Sequence, residues 1–427
     1  MPFLNLGYWQ RQFMNSKNTR VDIWRILRAG LMIALTLSYI LQWMKMISSS
    51  TERTGTDFII FYTAGKIVQN YGFSFAYDLG LQQQTEQSVV KIPLSSGQVL
   101  PYNHMPYLLP LLKVLVDNDY VASFLRWIVL LLIVYIAGSV FLIDSLFQTS
   151  EVRSVESLNL LGAAVTFYPF FVSILLGQDT ALLYLGTVLW CVGLLKRKDW
   201  MVGIGLALTT VRPHICLMLA IPFLFRDRKI WWRFLVAASI LGIASILLIG
   251  LGGMKDFINV LIVTAGGSWY GTHQSAMMNF LGLMLRALPF APENVIRLIA
   301  WIGYGLGIGL VSWLWLRSRK FDERLIGLSI LAALFFAPHL HYHDLTLLII
   351  PLLLVVRKVK TKIPLCKSIA MIAGISFLLF ASPLLPLAYF SLPYILSAIL
   401  AWSLWKSKMA DHRENAAIAV ENHKRPF

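Results

Sequence analysis

The stretch Asp57-Phe58-Ile59-Ile60-Phe61-Tyr62-Thr63-Ala64-Gly65 follows an apolar run at 26–46 that is long enough to cross a bilayer, and it opens a long polar and aromatic region. A carboxylate just beyond a span is ordinarily a solvated interfacial charge. Here the charge pattern of the remaining chain places Asp57 and most other reactive-looking residues on one side of the membrane.

Further apolar runs fall at 121–143, 158–176, 179–195, 231–252, 295–316, 322–338, 344–356, 366–381 and 384–405. Most approach the roughly 20 residues that a span needs. Shorter runs at 105–117, 200–211 and 214–225 predict short or re-entrant helices. The expected fold is an all-α polytopic membrane protein with roughly 10–13 transmembrane or re-entrant helices. The 427 residues are 57% hydrophobic and 14% charged, with a mean hydropathy of +0.68, which excludes an ordinary soluble domain. The first run ends in Gln42-Trp43-Met44-Lys45-Met46 without a small-x-small site behind it and reads as an anchor. Cys191, Cys216 and Cys366 lie in or beside spans without paired spacing, so neither a disulfide framework nor a zinc site is indicated.

The net charge of +16 comes from basic residues in short loops: Lys17 to Arg28, Lys196 to Lys198, Arg226 to Arg233, Arg317 to Arg324, Arg357 to Lys367, and the tail from Lys406. That is the distribution that orients membrane proteins with Lys and Arg in the cytoplasm, and it argues against a nucleic-acid partner. One topology satisfies every cluster. It puts both termini inside and makes 48–104 a first outer loop and 253–280 a second. The Gly177-Gln178-Asp179 turn and the segment Pro338-His339-Leu340-His341-Tyr342-His343-Asp344 are also outside. Arg212-Pro213-His214 caps a helical hairpin, and 105–117 must not cross fully. Residues 1–409 form one integral membrane domain, and 410–427 form a cytoplasmic tail. The first outer loop is too long for a connector, and its mix of aromatic and polar residues from Tyr62 to Gln87 fits short helices lying in the interface.

Asp57-Phe58 with Tyr62 and Ala64-Gly65, Gly72, Tyr77-Asp78, Tyr102-Asn103-His104-Met105-Pro106, Gly177-Gln178, and Arg212-Pro213 followed by Arg226-Asp227-Arg228-Lys229 together resemble family 87 glycosyltransferases. These are C-type membrane enzymes that use polyprenyl-phosphate sugars, and they include mannosyltransferases. The resemblance covers most of residues 50–350 and rests on the order of short motifs. It implies a C-type fold, a donor that is a polyprenyl-phosphate sugar with mannose favoured, a lipid or glycan acceptor, no cofactor, and a place in the cell envelope at the plasma membrane. It also implies a general base at the head of the first outer loop, which carries over to Asp57. The family usually has Lys before the hairpin proline, where this chain has Arg212, a permanent charge able to bind phosphate bidentately.

Transfer with inversion needs a base for the acceptor hydroxyl and donors for the departing phosphate. Asp57 is the candidate base; Arg212, His214, His339, His341 and His343 are candidates for the phosphate, with Asp344 beside them. Three readings of the histidines stay open: phosphate or acceptor contacts, structural hydrogen bonds, and a metal site. The last needs an extended segment, because positions two apart on a helix point in different directions. Gln178 and Asp179 read either as ordinary helix N-terminal residues or as site wall. Trp269, Tyr270, His273, Gln274 and Asn279 read either as an interfacial belt or as sugar contacts. Tyr62 and His104 complete the candidates for donor or acceptor binding, and no metal is assigned. A membrane polysaccharide polymerase and a lipid-linked glycan transporter are the competing functions; a transporter would place ionisable residues nearer the bilayer midplane.

Overall fold

The computed structural model describes residues 23–54, 56–95, 98–147, 154–265, 274–318, 321–360 and 363–423. Among them, regular structure is helical throughout. In chain order the main helices are α1 (Ile23–Ser48), α2 (Phe58–Tyr71), α3 (Leu79–Val90), α4 (Leu109–Leu115), α5 (Tyr120–Phe147), α6 (Ser154–Val165), α7 (Tyr168–Leu176), α8 (Thr180–Leu195) and α9 (Asp199–Leu208). They continue as α10 (Pro213–Arg226), α11 (Arg228–Ala265), α12 (Phe280–Ala287), α13 (Glu293–Arg317), α14 (Glu323–Phe336), α15 (Ile349–Val359), α16 (Leu365–Ala381) and α17 (Pro386–His423).

Of the ten apolar runs, six form helices long and apolar enough to span a membrane: α1, α5, α11, α13, α16 and α17. The run at 158–176 becomes the pair α6 and α7, bent by 53°. Pro169 in the first turn of α7 cannot donate a hydrogen bond back to α6, and the freed groups need partners in an apolar setting. Ser376 provides both: its hydroxyl donates to the Thr166 carbonyl at 2.6 Å and accepts from the Tyr168 N–H at 2.9 Å. The Tyr39 hydroxyl adds a second donor to Thr166 at 3.0 Å.

The runs at 179–195, 322–338 and 344–356 form only α8, α14 and, after a 3-10 turn at Tyr342–Leu348, α15. Their apolarity reflects protein burial. Twelve of the sixteen residues of α8 are buried, and a helix that is apolar all round is a core helix. The segment 105–117 holds a single short apolar helical stretch, Pro106–Leu115. Two further features concern the regions expected outside the membrane. Ten of the fourteen residues of α2 are buried within the protein. The region 253–280 begins as helix, because α11 passes through a break at Gly250 (φ 68°) and runs on to Ala265.

The face of α3 that meets the protein carries buried Gln82 and Glu86, which pin the chain leading to the site. Gln82 accepts from the Tyr102 N–H at 2.9 Å, and Glu86 Oε2 accepts from the Leu100 N–H at 3.1 Å. Glu86 is 1% exposed, and among the described residues its Oε1 has no hydrogen-bond partner. Burial pushes its pKa from 4.5 up to about 8, against the opposing Leu100 N–H. Between these values the folded protein holds a proton that the unfolded chain has released, so stability falls as pH rises through the interval and levels off above it. Glu86→Gln should therefore match wild type in thermal unfolding at about pH 4 and exceed it at about pH 9. Parallel unfolding curves for the two proteins at every pH would show that Glu86 is ionised in the fold.

Candidate active site

Four helical segments present their N-termini to one place. Asp57 precedes α2, Asp179 precedes α8, Arg212 precedes α10, and His341 precedes the 3-10 turn that runs into α15. The unpaired N–H groups and dipoles at such ends favour negative charge, whether a carboxylate or a bound anion. The basic loops lie at the other ends of these helices: Lys196–Lys198 after α8, Arg226–Arg228 after α10, and Arg357–Lys358 closing α15.

Gly177 sets the closest approach. Its φ of +74° suits glycine, and a Cβ there would stand 2.7 Å from the Phe58 Cβ. Trp127 fixes the turn by donating its indole N–H to the Gly177 carbonyl at 2.8 Å. Gln178 is thereby brought beside Asp57. An N-cap aspartate normally accepts from its own helix, but Asp57 makes no such bond; its Oδ2 accepts from Gln178 Nε2 at 2.7 Å. Gln178 Oε1 accepts in turn from Arg212 Nη2 at 3.2 Å. Arginine can only donate, so its contact fixes which way the Gln178 amide points and obliges that amide to offer N–H to Asp57. Asp57 Oδ1 has no hydrogen bond among the described residues, and the side chain is half-buried.

Arg212 sits among further carboxylates. Nη2 is 2.9 Å from Asp179 Oδ1, and Nε is 3.5 Å from Asp344 Oδ1. Asp179 and Asp344 are both 0% exposed. His104 Nδ1 lies 2.9 Å from Asp179 Oδ2, and facing a carboxylate it is the donor in that bond. The backbone of His104 is held by the Tyr77 hydroxyl, which donates to its carbonyl at 2.6 Å, and the ring lies 4.5 Å from that of Phe61. Asp344 Oδ2 is 3.6 Å from His343 Nε2 and accepts from the His341 N–H at 3.3 Å. Thr180 donates to Asp344 Oδ1 at 3.4 Å.

The remaining histidines form a ladder rather than a convergent ligand set. Ring centroids are 6.2 Å apart for His214 and His339, 4.8 Å for His339 and His341, and 5.8 Å for His341 and His343. The backbone is extended at His341 (φ −103°, ψ 174°), which allows alternate residues to share a side. Among the described residues no three His, Cys, Asp or Glu side chains group as metal ligands. Burial, followed by repulsion from His343, pushes His341 down to about 4; burial and its histidine neighbours hold His339 well below the usual imidazole range. Near neutral pH both are uncharged rings with one N–H donor each. Asp57 counts among the charges that His341 feels, which puts the ladder and the carboxylate in one electrostatic neighbourhood.

Asp57, His104, Gln178, Asp179, Arg212, His343 and Asp344 thus form one network, with His214, His339 and His341 beside it. Two candidates lie elsewhere. Tyr62 packs against Tyr120 at 4.9 Å and reaches toward the Asn118 carbonyl at 3.5 Å. Gln274 accepts from Arg297 Nε at 2.9 Å. His273, Trp269 and Tyr270 lie outside the described residues, as do Lys17 and Arg20 of the first basic cluster and residues 424–427 of the tail. The structure adds Thr180 and Tyr77 as supports. It also gives Asn279 a definite place: its amide donates to the Ala337 carbonyl at 2.7 Å, just ahead of Pro338-His339. Thr180 is signalled in sequence only by following Asp179 at a helix start.

A family model described as Glycosyltransferase family 87 matches residues 106–351, more than half of the chain. The match takes in Gln178, Asp179, Arg212 and the whole stretch from His339 to Asp344, and it begins after Asp57 and His104. No curated protein and no solved structure matches the chain.

Proposed function

The chain belongs to glycosyltransferase family 87, and from that membership we propose that it transfers a hexose, mannose in the favoured case, from a polyprenyl-phosphate donor to a lipid or glycan acceptor on the non-cytoplasmic side of the plasma membrane. The observation that carries this reading is the carboxylate of Asp57. It is held on one oxygen by an amide whose direction Arg212 sets, and its second oxygen is open. The opposite placement of the basic loops supports cytoplasmic termini and an outward-facing site.

In this reading the acceptor hydroxyl oxygen attacks the anomeric carbon from the face opposite the phosphate. The carbon–oxygen bond to phosphate breaks as the new glycosidic bond forms, and the configuration inverts. The hydroxyl proton passes to Asp57 Oδ1, and the bonding electron pair leaves with the polyprenyl phosphate. That anion meets the N–H groups of His214, His339 and His341 at a cluster of helix N-termini. Arg212 is a positioning residue, because its guanidinium is paired with Asp179 and Asp344 and donates to Gln178. His104 and His343 hold the two buried aspartates in place.

The test is purified full-length protein in detergent, offered polyprenyl-phosphate-linked radiolabelled hexoses and pentoses in turn, with a total membrane lipid and glycan extract as acceptor. Transfer from a polyprenyl-phosphate hexose is expected. Transfer from soluble nucleotide sugars with none from any lipid-linked donor would overturn the donor class.

A further inference from the structure

The segment 337–341 carries His339 and His341 between the end of α14 and the 3-10 turn, and it belongs to no regular element. Pro338 has no N–H to give and holds Ala337 out of the helical conformation (ψ 133°), so the stretch cannot fix its own backbone. Its carbonyls are fixed from another part of the chain. Asn279 Nδ2 donates to the Ala337 carbonyl at 2.7 Å, and the Met278 N–H donates to the Leu340 carbonyl at 3.0 Å. One bond lies before His339 and the other between His339 and His341. Met278, Asn279, Ala337 and Leu340 are buried, whereas His339 and His341 are half-buried.

Asn279 is itself clamped by two helices. Its Oδ1 caps α12 by accepting from the Gly282 N–H at 2.9 Å, which leaves Nδ2 to meet Ala337. Its carbonyl accepts from the Tyr394 hydroxyl of α17 at 2.8 Å, and the hydroxyl oxygen accepts from Arg286 Nη2 at 2.8 Å. Arg286 Nη1 donates to the Met277 carbonyl at 2.9 Å, and its guanidinium lies over the Phe390 ring, 4.3 Å from the centroid. Thus α12 and α17 hold residues 277–279, and those residues hold the histidine segment. A shift of about 1 Å at a reacting group can cost about 10²-fold even when its origin is remote, so the bracket matters to the rings it carries. We propose that Asn279 is a positioning residue of the transfer site: through the backbone it holds, it aims the His339 and His341 rings at the departing polyprenyl phosphate. The assignment rests on the phosphate role proposed above for those histidines.

Binding of the departing group tests it. Purified full-length protein in detergent is titrated with a fluorescent polyprenyl phosphate that carries no sugar. Asn279→Ser keeps a good cap for Gly282 but is too short to reach Ala337. The variant should fold and bind the phosphate about tenfold more weakly, the order expected for one lost hydrogen bond to a buried carbonyl. Tyr394→Phe leaves Asn279 in place but frees its carbonyl, and it should weaken binding about threefold; it carries the same comparison if Asn279→Ser fails to fold. In the double variant His339→Ala with His341→Ala, neither change should cause a further loss, because the rings being aimed are gone. A merely structural role would cost the same in both backgrounds. Wild-type binding by folded Asn279→Ser, or an equal loss with and without the histidines, overturns the positioning. Wild-type binding by the histidine double variant overturns the phosphate role on which the proposal stands.

Discussion

Asp57→Asn should lower the transfer rate by about 10²- to 10⁴-fold, the range lost with a positioned general base, with donor affinity and folding unchanged. The geometry makes the change specific. Gln178 can offer only N–H toward position 57, because Arg212 occupies its oxygen. Asparagine must therefore turn its oxygen to Gln178 and its amide nitrogen to the position now held by Oδ1. The acceptor hydroxyl would then meet a donor that cannot take its proton. The loss should appear in kcat and kcat/KM together, since the base acts in the transition state. Initial rates in proteoliposomes at saturating donor, beside thermal unfolding and donor binding of the same preparation, separate this from misfolding. Near-wild-type transfer by a well-folded variant would remove Asp57 from the mechanism.

The arrangement that makes Asp57 so exposed to substitution was only partly readable from sequence. The spanning helices and the Arg212-Pro213 turn follow from hydropathy and from the restriction proline places on its neighbour, both of which are local signals. Length misleads for α8, α14 and α15, because apolar runs surrounded by protein look like spans although their helices are shorter. Membership of the site divides in the same way. Asp57, Arg212 and Asp344 are visible as charges beside apolar segments, but nothing in their spacing says that one guanidinium meets two buried aspartates, one of them 33 positions before it and the other 132 after. Tyr62 is a different case. At 100° per residue it points about 140° away from the Asp57 position around α2, so helical geometry alone sends it to another face. The alternation of His339, His341 and His343 was legible as a condition: the rings share a side only on an extended backbone, and His341 has that conformation.

Arg212→Ala should be the most damaging substitution to the fold. Asp179 and Asp344 are fully buried, and the guanidinium contacts both, at 2.9 and 3.5 Å. Removing one partner of a buried ion pair leaves an uncompensated charge and typically costs about 3–5 kcal/mol, a large part of the stability of an ordinary domain. Folded yield and the unfolding temperature of the purified variant should both drop sharply. Arg212→Lys restores the charge but replaces a planar fork with a point donor, which cannot reach Asp179, Asp344 and Gln178 together. That variant should fold and transfer slowly, because Gln178 loses the contact that orients its amide toward Asp57. Neutralising the buried partners provides the control. Arg212→Met combined with Asp179→Asn and Asp344→Asn removes the unpaired charges, so stability should recover while transfer does not. A residue that served only as a phosphate contact would behave in the opposite way: Arg212→Ala would fold normally and lose donor affinity alone, and that result would show that the buried aspartates do not depend on it.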